Sequence, residues 1–118
     1  MDFDAAIIAH KRWKDRLKKS AAGGEQLDVD SLGRDDACDL GKYIQAAPTA
    51  EQALPEFKVL REKHAQFHKV AAGTVRSIAG KDAAEVDSLL GGVSLFGQAS
   101  AACVSAIAAL RDRAGKGA

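Results

Sequence analysis

At 118 residues the chain is long enough for one domain with a single core and too short for two. Apolar residues make up 47% of it and charged residues 28%, but aromatics only 5%; with alanine supplying much of the apolar share, closely packed helices are favoured over a β-sandwich. Lysine and arginine number 17 against 16 acids, a net charge of +1, so no global field draws the protein to nucleic acid or a membrane surface.

The first apolar stretch, FDAAIIAH, carries an acid and runs into a basic segment, which does not resemble a signal peptide. No window is expected to supply the roughly 20 apolar residues of a membrane span. Two cysteines in such a chain fit a reducing compartment better than a disulfide framework, so a cytoplasmic location is expected.

Phe3, Ile7, His10, Trp13 and Leu17 recur at steps of four and three, which predicts a helix over 2–20 with His10 facing inward. Lys11, Arg12, Lys14, Lys18 and Lys19 lie away from that stripe and read as a solvated face. Residues 21–36, with adjacent glycines and scattered aspartates, read as a helix stop and a loop. A short helix is expected over 34–45, with Gly41 marking a close backbone approach.

From Thr49 the pattern TAEQ matches a capping box, with Pro55 either tolerated in the first turns or restarting the helix. Phe57, Leu60, His64, Phe67, Ala71, Val75 and Ile78 then form a long inward stripe. After a glycine turn at AGKD, Val86, Leu89, Val93, Phe96, Ser100, Cys103, Ile107 and Leu110 alternate three and four, interrupted by Gly91 and Gly92. Residues 111–118 read as a frayed tail. The fold class expected is all-α: one domain over 1–118, an antiparallel four-helix bundle of three long helices and one short helix that carries Cys38.

All three histidines fall on or beside inward stripes, which makes ordinary core packing less probable for each. His64 and His68 are one helical turn apart, about 5 to 6 Å between Cβ atoms, a separation that two imidazoles span to hold one ion. A third histidine from a facing helix and one thiolate would complete a tetrahedron. By reach alone, Cys38 or Cys103 could supply the sulfur.

The segments HKRWKDRL at 10–17, CDLGKY at 38–43 and HAQFH at 64–68 together resemble the chemoreceptor zinc-binding family, the CZB domain. The resemblance covers residues from about 3 to 80, with Tyr43 standing where the family often has tryptophan. It implies a Zn2+ site of His10, Cys38, His64 and His68, and leaves Cys103 as a buried, inert thiol. Three imidazoles and one sulfur make a closed site without a place for substrate, so no catalysis is expected. Asp35 and Asp39 are candidates to orient a metal-bound imidazole.

The resemblance further implies a sensory or regulatory role in bacterial signalling. Zinc, or oxidation of the zinc-bound thiolate, would be the input, and an attached or associated chemoreceptor or diguanylate cyclase the output. A homodimer is expected, since the last helix is rich in alanine and glycine. Two other readings are a metal-free helical dimerisation module and a non-haem iron bundle; the second lacks the inward carboxylates and Glu-x-x-His spacing it needs.

Overall fold

The computed structural model describes residues 1–24, 27–28, 32–34 and 38–116, and among them every regular element is a helix. The elements are α1 (Phe3–Lys11), α2 (Trp13–Ala21), α3 (Asp39–Ala46), α4 (Thr49–Gln52), α5 (Pro55–Ile78), α6 (Ala83–Leu90) and α7 (Leu95–Lys116). They pack as an elongated bundle of 48 × 25 × 19 Å.

The axis of the bundle is the pair α5 and α7. Arg113, near the end of α7, lies 3.5 Å from Glu56 at the start of α5, whereas Phe96 at the start of α7 packs its ring, tilted, 5.8 Å from that of Phe67 in the middle of α5. The two helices are therefore antiparallel. The inward stripe of α5 is buried as its spacing predicts at Phe57, Leu60, His64, Phe67, Ala71 and Ile78, and it meets Cys103, Ile107 and Leu110 of α7. Burial of these apolar faces supplies most of the driving force for folding.

The first helix is interrupted for one residue at Arg12, with φ −72° and ψ −16°, dividing the expected helix 2–20 into α1 and α2. Asp2 caps α1 by accepting from Ala5 N–H at 2.9 Å. Its start lies beside the end of α7, where Arg111 pairs with Asp4 at 2.7 Å. Farther along, α2 buries Leu17 and reaches α6, with Lys18 3.0 Å from Asp87.

Several expectations are corrected. The short helix begins at Asp39 rather than 34, because Cys38 itself is the N-cap. The TAEQ capping box does not form: Pro48, extended at φ −56° and ψ 145°, stands at the cap position and places Thr49 already inside the short α4. Pro55 restarts the chain as the first residue of α5. Residues 111–116, expected as a frayed tail, continue α7, whose last turns are tied by Arg111 and Arg113.

The last helix is two helices. The chain breaks after Leu90 and resumes at Leu95, where Ser94 accepts from Gly97 N–H at 3.0 Å in the manner of an N-cap. A Cβ on Gly97 would stand 2.0 Å from the Gly91 carbonyl oxygen, so the turn closes only over a residue without one. The break shifts the helical phase. Val93, expected on the inward seam, is 91% exposed, and Leu90 is buried where Leu89 is only partly so. Counter to the sequence reading, Ala83–Ala114 meets the length and apolarity of a membrane span, with a mean hydropathy of 1.7. The break divides that stretch, and Phe96, Ile107 and Leu110 within it are core residues of the bundle.

Candidate metal centre

Three helical elements aim four donor atoms at one point. His10 stands in the last turn of α1, Cys38 at the N-cap of α3, and His64 and His68 one turn apart in α5. Their ligand atoms all lie within 4.8 Å of one another. Nε2 of His64 is 3.0 Å from Nε2 of His68, and Sγ of Cys38 is 3.1 Å and 3.6 Å from those two nitrogens.

Local structure sets each donor. The ring of His10 folds back along α1 so that Nδ1–H donates to the carbonyl of Ala6 at 2.8 Å. His68 Nδ1–H donates to the carbonyl of Leu32 at 2.9 Å. A carbonyl only accepts, so each ring in its neutral form carries its proton on Nδ1 and presents Nε2 as a lone pair. Sγ of Cys38 accepts Gly41 N–H at 3.3 Å, which is the capping bond of α3. Sequence reasoning did not find these two carbonyls, although Ala6, four residues before His10, was within sight of a helical argument.

The carboxylates expected to orient the imidazoles do not do so for His10 and His68, because main-chain carbonyls occupy their Nδ1 atoms. Asp39 is exposed in the first turn of α3, where an acid complements the helix dipole. Asp35 lies outside the described residues. Cys103, the other sulfur within reach by sequence, is fully buried on α7 and is not part of the cluster. Burial, and then the neighbouring Cys38, push its thiol up to about 12.

The electrostatics are those of a site built for a cation. Burial is the main cause that lowers His64 to about 3, with His68 and His10 adding to it. Burial likewise lowers His10 against the opposing pull of the Ala6 carbonyl, and it raises the Cys38 thiol against the pull of Gly41 N–H. His10 and His64 are therefore held toward the neutral form that a metal requires. His10, His64 and His68 are the buried polar side chains among the described residues, and no acid is buried beside them.

These donors fit a tetrahedral ion. With metal–nitrogen bonds of about 2.0 to 2.1 Å and a metal–sulfur bond of about 2.3 Å, the edges of such a tetrahedron measure roughly 3.3 to 3.6 Å, close to the 3.0, 3.1 and 3.6 Å among the His64, His68 and Cys38 donors. Nε2 of His10 and Nδ1 of His64 are buried without a hydrogen-bond partner among the described residues. Converging lone pairs and an unpartnered buried nitrogen cost free energy unless a cation satisfies them.

A helical bundle holding a closed His3Cys centre defines a class of structural or regulatory metal-binding domain. Over residues 10–75, more than half of the chain, the sequence matches the model of the chemoreceptor zinc-binding domain, and the chain belongs to that family. The matched span contains all four clustered residues. No curated protein and no solved structure matches the chain. It is a zinc-binding domain by family, and His10, Cys38, His64 and His68 form its potential metal site.

Proposed function

We propose that this protein is a cytoplasmic zinc-responsive regulatory module, acting as a homodimer, that passes the state of its metal centre to an attached or associated bacterial signalling protein of the chemoreceptor or diguanylate cyclase type. The observation that carries the reading is the convergence of four donors from α1, the α3 cap and α5 on one buried point. Filling such a centre ties α1 and α3 to α5, so metal occupancy is coupled to helix arrangement; for structural zinc sites this coupling reaches about 10 to 16 kcal/mol.

Bound zinc would supply positive charge that holds the Cys38 thiol as a thiolate. Cys38 is the one half-buried ligand, and a thiolate is the form that oxidants attack, so loss of this sulfur is a second input of the same module. The residues are read as non-catalytic: all four donors would be consumed by a tetrahedral ion, which leaves no position for a substrate. Small exposed residues on α7, Ala101, Ser105 and Ala109, support close approach of a second copy.

Metal analysis of the purified protein, followed by chelator titration watched by circular dichroism, tests the reading. One tightly held zinc per chain whose removal loosens the helices is expected. A protein that holds no metal and does not respond to added zinc overturns it.

A further inference from the structure

At the joint between α6 and α7 the sequence pattern and the structure disagree. The seam that runs from Val86 through Leu89, Val93 and Phe96 to Leu110 alternates three and four across the joint, as one uninterrupted helix requires. The structure keeps that pattern on α7 and leaves it on α6, where Leu90 is buried in place of Leu89. Val93 is left 91% exposed, the most exposed large apolar side chain among the described residues. Its burial would favour a joined helix.

Few contacts close the joint. Ser94 N–H and Oγ–H both donate to the Gly91 carbonyl, at 3.0 and 2.6 Å, and Ser94 Oγ accepts Gly97 N–H at 3.0 Å. The N–H groups of Gly92 and Val93 make no hydrogen bond among the described residues. In a joined helix both would bond one turn back, to the carbonyls of Ser88 and Leu89. Gly91 is extended, at φ −69° and ψ 167°. Making it helical shortens the rise there by about 2 Å and draws the first turn of α7, with Phe96, toward α6.

Phe96 is connected to the metal centre through one ring. Phe67 packs edge-on against His10 at 5.5 Å between centroids and against His68 at 5.3 Å, and the same ring lies 5.8 Å from Phe96. Phe67 and Phe96 are both buried, in a core whose close packing passes a displacement from one side chain to the next. A metal that fixes the His10 and His68 rings therefore fixes the seat of Phe67, and with it the place of Phe96.

We propose that the α6–α7 joint is a two-state element read by the metal centre: closed, as it stands with the four donors converged on one point, when zinc is held there, and joined into one helix from Ala83 to Lys116 when zinc is lost. This rests on the zinc reading above and deepens it by naming the segment that responds. Without metal the Nε2 of His10 has no partner among the described residues, so its ring is free to yield to Phe67 as Phe96 shifts and Val93 turns inward. Zinc favours the closed joint because its four donors converge best when Phe67 and Phe96 keep their places, and that difference in affinity is what biases the two states.

Backbone hydrogen exchange, measured on zinc-loaded and on chelator-treated protein, tests the coupling. Removing zinc is expected to slow exchange at Gly92 and Val93 by about tenfold, where simple loosening would speed it. Phe96→Leu is expected to keep its zinc and lose this response, whereas Phe57→Leu, equally buried but packed against Tyr43, keeps both. Gly97→Ala, whose methyl is excluded only from the closed joint, is expected to bind zinc about tenfold more weakly although residue 97 is no ligand. Exchange at Gly92 and Val93 that is unchanged or faster without zinc, a Phe96→Leu protein that responds as wild type, or wild-type affinity in Gly97→Ala overturns the coupling alone. A wild-type protein that takes up no zinc overturns the zinc reading and the coupling with it.

Discussion

Nε2 of His64 lies 3.0 Å from Nε2 of His68, one turn along α5, and only one of the two nitrogens can carry a proton. A neutral His68 does not carry it, since that ring's one proton sits on Nδ1 and is donated to the Leu32 carbonyl. His64 must then donate from Nε2 in the absence of metal and give up that proton to become a ligand, moving it to Nδ1, which is buried without an acceptor. Metal binding thus changes the tautomer of one histidine of the pair and keeps that of the other. Nitrogen-15 NMR of the imidazoles, with and without zinc, checks this: the His64 pattern inverts and the His68 pattern holds. A His64 already protonated on Nδ1 before metal is added would refute it.

The two cysteines separate cleanly. Cys38→Ala removes the only sulfur of the cluster and is expected to cost the bound equivalent of zinc. Cys103→Ala leaves zinc content unchanged and lowers stability modestly, by about 1 kcal/mol or more for the small cavity it opens. Metal analysis with thermal unfolding distinguishes them. In the metal-free fold the Cys103 thiol, held near 12, is expected to resist alkylation more strongly than Cys38.

His64→Leu has effects of opposite sign in the two states of the protein. With zinc available it loses a ligand and the metal-linked stability. In chelator it replaces a buried polar ring with a partnerless nitrogen by an apolar side chain, and a gain of roughly 1 to 3 kcal/mol is expected. Denaturant unfolding of wild type and variant, each with and without zinc, reads both signs.

Acid weakens the metal-free fold through the same ring. The folded His64 is held at about 3, below the ordinary value of 6.5, so the unfolded chain binds the proton more readily. Its contribution to stability is complete above 6.5 and is lost as pH falls from there toward 3, by up to about tenfold in the folding equilibrium per pH unit. His10, lowered for the same main reason, acts in the same direction. Urea midpoints measured between pH 7 and pH 5 in chelator are expected to fall.

Gly97→Ala tests the turn between α6 and α7. Its methyl would meet the Gly91 carbonyl at 2.0 Å, a main-chain atom that cannot rotate away, so destabilisation of about 1 to 3 kcal/mol is expected. Gly92→Ala, where a Cβ meets nothing within 4 Å, is the mild comparison. Thermal melts of the two variants are the measurement.

The division between sequence and structure follows from what each kind of regularity can carry. Periodicity placed the stripes Phe57 to Ile78 and Phe3 to Leu17, and with them the inward histidines, because a helix of 3.6 residues per turn converts spacing directly into a face. It misplaced Val93, since a pattern of threes and fours survives on paper across a turn that resets the helix. Cys38 and Cys103 are equivalent by reach, and in the sequence only the motif around Cys38 separates them. The carbonyls of Ala6 and Leu32 leave no trace in residue type, because every residue has a carbonyl.

The amino-acid sequence by itself determined an all-helical chain, three histidines turned inward and the family to which they belong, since these depend on local spacing and on side-chain chemistry. The tertiary structure alone decided how donors 26 to 58 residues apart come within 4.8 Å, which nitrogen of each ring is left to bind, and which side of the centre faces water. Those are questions of distance between segments distant in the chain, and packing answers them.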